Sequence, residues 1–325
     1  MSKTLITGGA GYIGSTICSA LSNIGKTPII LDSLVNGQKS FTRNFPFYHA
    51  DISEKGILSK IKAEHPEIDT IIHCAARIIV PESVENPHLY YMENVSKSME
   101  LFKQAADAGI KKIVFSSSAS VYGNVEGYKA SESSPTNPQS PYAKTKLMME
   151  SVLADYAAAY GLKAVSLRYF NPIGTDPNHQ TGPYVRNPSH ILGKLVSTAK
   201  GDLDAFTICG TDYPTRDGTG IRDYIHVWDI AKAHLDAVDY LDKIPEGAHD
   251  IINLGTGNGT TVKEFISSFE NAYGQKIKTI DTDPRPGDVA GVYASCEKAK
   301  EKLGWTAELS ISQAIKDALI WEKIL

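Results

Sequence analysis

Lys3-Thr4-Leu5-Ile6-Thr7-Gly8-Gly9-Ala10-Gly11-Tyr12-Ile13-Gly14 is the stretch whose reading decides the fold. A short, β-branched apolar run ends at Thr7, and glycines at 8, 11 and 14 lead into an amphipathic stretch over 14–23. Strand, tight turn and helix in that order leave backbone N–H groups at a helix amino terminus, and the glycines remove side chains that would hold a pyrophosphate away. A glycine triplet alone marks only a loop. Its context is what counts: Asp32 closes the next apolar run, 28–31, eighteen residues beyond Gly14. A carboxylate there accepts hydrogen bonds from an adenosine ribose and repels the extra phosphate of NADP. The expected cofactor is therefore NAD, held at its adenosine and pyrophosphate end by Gly8, Gly11, Tyr12, Ile13, Gly14 and Asp32.

Outward from this stretch the same alternation continues. Apolar runs at 70–75, Lys112–Ser116 and Lys163–Tyr169 have the length and composition of buried strands. Helical patterns at 53–64, 95–108 and Pro141–Tyr160 separate them, with Gly109 and Gly161 placed to end two helices and Pro141 to open one. The fold class is α/β: a doubly wound parallel sheet with a second, smaller mixed α/β domain. After Asn171-Pro172 the order loosens, yet Val227–Leu241 followed by 250–254 is regular enough to return to the first sheet. The expected division is thus 1–171 with about 222–254 for the dinucleotide, and 172–221 with about 255–325 for the other ligand. Helices are also expected near 262–272 and 311–324, the latter opened by a capping box at Ser310 to Gln313.

Composition excludes several functions. With 42% hydrophobic residues in 325, the chain has ample material for a packed core. Lys and Arg total 33 against 37 Asp and Glu, with no dense basic run, so a nucleic-acid partner is not expected. Four scattered cysteines make neither a disulfide framework nor a CxxC metal site, and no metal is expected. No apolar run reaches membrane-span length and the start lacks a signal-peptide core, so a cytoplasmic location is expected.

The chemistry sits downstream of the dinucleotide signature. Tyr142 and Lys146 are four apart on one helix face, where an ammonium favours the phenolate and turns a weak base into a usable one. A YxxxK pair can equally be a surface pair. Ser116-Ser117-Ser118 ends a strand at the carboxyl edge, where open α/β sheets bind ligands, although three serines also make a turn. Asp51-Ile52 is placed either beside an adenine or as the cap of the following helix. Cys74-Ala75-Ala76 supplies small residues suited to a ligand crossing the sheet edge or to close helix packing. A dinucleotide site joined to an activated tyrosine implies hydride chemistry at a carbinol carbon.

Taken together, Thr7 to Gly14, Asp51-Ile52, Ser116 to Gly123, Ser140 to Lys146, Leu167 to Gly174 and Asp212 to Val227 resemble the extended short-chain dehydrogenase/reductase family, and its UDP-hexose 4-epimerase branch in particular. The likeness runs essentially end to end. It implies an isomerase in which Tyr142 removes the sugar 4-hydroxyl proton while C4 gives hydride to NAD. Lys146 would tune the tyrosine and bond the nicotinamide ribose, and Ser118 would bond the 4-oxygen. The 4-keto sugar would then turn over and be reduced on its other face. The resemblance also implies that Asn36, Asn94 and Tyr169, with Cys74, Ala75, Ala76 and Ser116, line the cofactor site. It assigns Asn171, His190, Ile191, Arg222, Arg285 and Asp288 to the UDP moiety. Guanidinium forks suit a diphosphate, though Arg222 beside Asp223 also fits an ordinary ion pair.

Two departures stand out. Ala76-Arg77-Ile78 replaces a Gly-Leu-Lys found in many of these epimerases. At the sugar-pocket gate the chain has Val292 where some have tyrosine, with Tyr293 next to it. A valine gate implies that N-acetylated sugars are also accepted. Among rivals, a dehydratase needs an acid near the serine, where Ala119 and Ser120 supply none; a UDP-uronate epimerase or decarboxylase needs one further cationic or hydroxyl contact. A non-catalytic NAD sensor would not need Ser118, Tyr142 and Lys146. Two apolar stripes on Pro141–Tyr160, one with Lys146, Met149, Leu153, Ala157 and Tyr160, the other with Met148, Val152, Tyr156 and Ala159, suit a sheet on one side and a homodimer partner on the other.

Overall fold

The computed structural model describes residues 3–43, 45–184, 188–284 and 290–325. Seven parallel strands form the main sheet: β1 (Lys3–Thr7), β2 (Ile29–Asp32), β3 (Phe47–His49), β4 (Ile68–His73), β5 (Lys112–Ser116), β6 (Lys163–Tyr169) and β7 (His249–Leu254). Their spatial order is 3-2-1-4-5-6-7, so the chain reverses its direction of travel across the sheet between β1 and β4. Ligands bind at such a switch point, beyond the carboxyl ends of the strands. As expected, β7 returns to this sheet, running parallel to β6 from His249 opposite Ala164 to Leu254 opposite Tyr169.

The alternation of side chains explains why these strands read as unbroken apolar runs. Ile6, Ile30, Ile72, Val114 and Val165 face one layer, which includes α1 (Tyr12–Asn23) and α5 (Val227–Leu241). Leu5, Ile29, Leu31, Ile71, Ile113, Phe115 and Ala164 face the other, built from α2 (Ile57–Glu64), α3 (Lys97–Asp107) and α4 (Pro141–Tyr160). Both faces are dry, so no position along a central strand can be polar without a partner.

Several boundaries differ from expectation for local reasons. Helix α2 starts at Ile57 rather than Ser53, because Gly56, in a left-handed conformation, is its N-cap. Asp51 is consequently not the cap of that helix; it bonds Ser53 through N and Oγ and pairs with Lys97 at 2.7 Å. A π-helical stretch, Tyr91–Ser96, runs directly into α3. The closing helix ends at Trp321, before Lys323 with φ 57°, and Ser310 caps it through the Gln313 N–H while the Gln313 amide bonds Asp317 instead of closing a box. The reciprocal box is at Thr261 and Glu264, opening Val262–Tyr273. Tyr160 is exposed and stacks edge-on against Tyr156, so it does not join the buried stripe of Met149, Leu153 and Ala157.

Beyond Asn171 a second core forms from Leu192, Leu195, Phe206, Ile208, Phe265, Phe269, Ile315 and Leu319. Between it and the main sheet lies a small four-stranded sheet in the order Thr260–Thr261, Ile221–Arg222, Gly291–Ala294, Lys129–Ala130. Its last strand comes from the first half of the chain, so both halves contribute to this sheet. Among the described residues no helix is long and apolar enough to cross a membrane, and no cluster of His, Cys, Asp or Glu could hold a metal.

Candidate active site

The turn after β1 is shaped by what its glycines leave out. Gly8 has φ +72°, and a Cβ there would lie 2.6 Å from the Ala75 nitrogen; one on Gly14 would lie 2.2 Å from the Gly8 carbonyl oxygen. A Cβ on Gly11 would touch only the Gly8 carbonyl at 3.3 Å and the Tyr184 hydroxyl at 3.9 Å, so Gly11 faces an open approach. It is the N-cap of α1, and no side chain caps the helix. Uncapped N–H groups, the positive end of the helix dipole and room for an anion fit the pyrophosphate of a dinucleotide. Asp32 is buried at the end of β2 and accepts from the N–H of Ala10 at 2.9 Å and of Leu34 at 2.8 Å, which fixes its carboxylate beside the turn. These residues fit NAD.

Not every neighbour contributes a side chain. Tyr12 turns its hydroxyl away, donating 2.6 Å to the Gly174 carbonyl, and Ile13 packs into the core, so only their backbone faces the turn. Asn36 accepts through its carbonyl from Tyr184 at 2.5 Å. Ile52 is buried behind β3, while Cys74, Ala75 and Ala76 follow β4 along the crevice. Asn94 is also buried, but its amide is engaged: it accepts from the Arg77 N–H at 2.8 Å and donates to the Arg77 carbonyl at 3.0 Å and to Thr145 at 3.2 Å. It therefore pins the loop after β4 to α4. Arg77 pairs with Glu82 at 3.5 Å.

At the end of β5 the structure brings Ser118, Tyr142 and Lys146 together. Ser140 caps α4 through the Ala143 N–H and sets the helix so that Tyr142 and Lys146 both face the sheet edge. Ser118 hydrogen-bonds the Tyr142 phenol, and its Oγ also accepts from the Ser120 N–H at 3.2 Å. Lys146 donates to the Ser116 carbonyl at 2.8 Å, with its Nζ 4.9 Å from the Phe115 ring centre and 6.0 Å from that of Tyr142. Burial lowers the Lys146 ammonium to about 8. Burial also raises Tyr142, and its bond to Ser118 acts the other way. The Lys146 ammonium, on the same helix as the Tyr142 phenol, is thus held by the Ser116 carbonyl.

Tyr169, at the end of β6, is raised well above the ordinary phenol range by burial and hydrogen-bonds Ser116. Asn171 continues into Asn171–Ile173, which pairs with Tyr224–His226. His190 caps the helix Ile191–Lys200 by accepting from the Gly193 N–H at 3.1 Å; Ile191 packs against the second core. Arg222 lies beside Val292 on the neighbouring parallel strand and donates to the Ile221 carbonyl at 2.8 Å. It forms no ion pair with Asp223, whose carboxylate is buried and accepts from the N–H groups of Thr256, Gly257 and Ala294 and the Thr256 hydroxyl. Arg285 and Asp288 lie outside the described residues. Two buried groups that sequence reasoning missed are His234 and Glu150, which bond Ser116 and Ser117 respectively. The only signal in the chain was that β5 ends in serines whose alternate faces are dry and so need polar partners.

The profile of the NAD dependent epimerase/dehydratase family matches residues 4–255. The chain belongs to this family. A UDP-glucose 4-epimerase of Halalkalibacterium halodurans is 41% identical over 320 residues, covering 98% of this chain and 95% of that one. The structure is similar to that of a Stenotrophomonas maltophila UDP-glucose 4-epimerase with bound NAD and formylated UDP-arabinopyranose, with a TM-score of 0.94 and 37% identity over 99% of this chain and 98% of that one. It is also similar to a Campylobacter jejuni UDP-Glc/GlcNAc 4-epimerase, with a TM-score of 0.85 and 35% identity over the full length of both. As a member of the NAD-dependent epimerase/dehydratase family, the chain carries the doubly wound sheet that the glycine stretch and the strand alternation predicted.

Proposed function

We propose that this protein interconverts UDP-glucose and UDP-galactose by inverting C4 through a transient 4-keto sugar, with NAD as its resident cofactor. The observation that carries the reading is the meeting of Tyr142, Ser118 and Lys146 at the carboxyl end of β5, beside an uncapped glycine-rich helix terminus. Bound NAD supplies a hydride acceptor and a positive charge, which favours phenolate where burial alone disfavours it. Tyr142 takes the 4-hydroxyl proton and returns it when the ketone is reduced on its other face. Ser118, already bonded to that phenol, holds the same oxygen. Because the hydride taken from C4 is returned to C4 on its other face, the net oxidation is zero and the enzyme is an isomerase. Incubation with UDP-galactose and identification of the product, with an absorbance spectrum for bound NAD, tests the reading; no UDP-glucose formed would end it.

In this reading Gly8, Gly11 and Gly14 with the backbone of Tyr12 and Ile13 hold the pyrophosphate, Asp32 the ribose, and Asn36, Asp51 and Ile52 the adenine side. Cys74, Ala75, Ala76, Ser116 and Tyr169 line the nicotinamide end, with Asn94 fixing the loop. Asn171, His190, Ile191, Arg222, Arg285 and Asp288 take the UDP, from the segment 172–221 with 255–325. The uronate alternative gains no support, since Arg77, the cation after β4, is already paired with Glu82.

Val292 packs with Ala119, Val121 and Phe170 on the side of Ser118, whereas Tyr293 points toward Gly259, where a Cβ would lie 2.8 Å from its ring. In this reading the small residue sits on the crevice side and leaves space for an N-acetyl group. Turnover of UDP-N-acetylgalactosamine is expected, and Val292→Tyr should lower it roughly 10- to 200-fold against UDP-galactose. Equal effects on both sugars would remove the gate.

The outer stripe of α4, with Met148 45% exposed and Val152 and Tyr156 only partly covered, supports a homodimer. Sedimentation at twice the 35.3 kDa chain mass is expected, and Met148→Glu should shift the protein toward monomer. A wild-type monomer at working concentration would refute it.

A further inference from the structure

The loop that leaves Ser118 ends in a conformation that calls for a reason. Gly127 and Tyr128 both have left-handed backbones, with φ of 68° and 63°. Glycine adopts this freely, whereas a bulky side chain does so at a cost in stability, and such residues persist where their surroundings hold them. Tyr128 is half-buried and has no part in the chemistry above. Its hydroxyl donates 2.9 Å to the carbonyl of Pro214, 86 residues further along the chain.

The small four-stranded sheet places both ends of this bond. Tyr128 immediately precedes the strand Lys129–Ala130, in which Lys129 lies opposite Tyr293. One residue back along these parallel strands, Tyr128 stands level with Val292, and Val292 lies opposite Arg222 on the next strand. Tyr128, Val292 and Arg222 thus form one row across the sheet. Val125, from the same loop as Tyr128, packs with Val292 against Ala119, Val121 and Phe170. Pro214 belongs to the turn 211–219 that leads into Ile221–Arg222. This turn is fastened to the start of the helix Val262–Tyr273: Asp217 accepts from Thr261 at 2.5 Å, and Arg216 pairs with Glu264 and donates to the Gly259 carbonyl at 2.7 Å. The Tyr128 phenol joins it to the loop after Ser118.

We infer that Tyr128 is a positioning residue for the nucleotide sugar, tying the turn before Arg222 to the loop after Ser118 so that the row of Tyr128, Val292 and Arg222 is set before the ligand arrives. The role rests on the epimerase reading, in which Val292 meets the sugar and Arg222 the diphosphate. With the tie in place the ligand enters an ordered cleft. Without it, part of the binding energy goes into ordering the turn, and affinity falls by up to the worth of the hydrogen bond. Ground state and transition state share that cost, so the effect belongs in KM and not in kcat. The left-handed backbone at 127–128 takes the side chain out of strand alternation and toward Pro214, which accounts for a tyrosine where glycine or asparagine would sit more easily.

The measurement is the dissociation constant of the full-length protein for UDP, with that for NAD as the reference, alongside kinetics with UDP-galactose. Tyr128→Phe keeps the ring and removes the hydroxyl. It should weaken UDP and raise KM by about two- to tenfold, the worth of one hydrogen bond, with kcat and the NAD constant within about twofold. Tyr128→Asn accepts a left-handed backbone readily but is too short to reach Pro214, so it should weaken UDP as much, which separates the tie from strain in the loop. Unchanged UDP affinity in Tyr128→Phe overturns the role. So does equal weakening of UDP and NAD, which would mark a general loosening of the protein, and so does a loss confined to kcat. Wild-type protein that binds UDP but does not convert UDP-galactose would sink the epimerase reading instead, with the tie still measured by UDP affinity.

Discussion

Tyr142→Phe is expected to lower epimerisation of UDP-galactose by roughly 10²- to 10⁴-fold, the usual worth of a positioned acid–base group. The substitution removes one oxygen and keeps the ring. The ring is what packs: Tyr142 is buried at the start of α4, and the helix is held independently by the Ser140 cap and by Met149 and Leu153 in the core. Melting temperature and bound NAD should therefore match wild type. Ser118 loses its bond to the phenol but keeps the Ser120 N–H, so it remains in place. The loss should fall in kcat with little change in KM, because the proton is transferred only during reaction. Wild-type kcat in this variant would refute the mechanism.

How much of this could be read from the chain depends on the range over which each feature is determined. The turn at Gly8 to Gly14 is local: strand, glycines and helix follow from neighbours in sequence, and Asp32 is one βα unit away. Tyr142 and Lys146 share a face because a helix repeats every 3.6 residues. The electrostatics of that pair were not legible. Spacing places the ammonium near the phenol, but the Ser116 carbonyl that attracts the ammonium comes from β5, and burial from the whole layer. The surroundings of Asp223 were not legible for the same reason. Next to Arg222 it resembles half of an ion pair, yet the donors that claim it come from Thr256, Gly257 and Ala294, brought in by the small sheet. Alternation along a strand is again local: Val292 and Tyr293 face opposite sides, so only one of the two can face the crevice.

Glu150 shows a long-range dependence with a large expected effect on stability. It is buried on α4, one turn beyond Lys146, and takes a two-pronged contact from Arg168 on β6: Nε to Oε1 at 2.9 Å and Nη2 to Oε2 at 2.6 Å. Ser117 donates to the same carboxylate at 2.5 Å, and Arg168 reaches on to the Tyr122 hydroxyl at 2.9 Å, which donates to Asn253. The middle serine of the β5 end is thus anchored to α4 by this carboxylate, while Ser116 before it bonds His234 in the opposite layer. Glu150→Ala leaves a guanidinium buried without its counter-charge, which costs about 3–5 kcal/mol and should lower the melting temperature by roughly 4–8 °C. Such a pair is expensive to bury and need not exceed an apolar pair in net stability. Hence Glu150→Leu combined with Arg168→Met should regain most of the loss, since Tyr122 keeps Asn253 as its acceptor. The double variant should still show reduced kcat, because Ser117 no longer has a charged anchor and Ser118 next to it is less firmly held. A melting temperature for Glu150→Ala within about 2 °C of wild type would show that water or a shifted side chain relieves the guanidinium, and that the pair holds no part of the site.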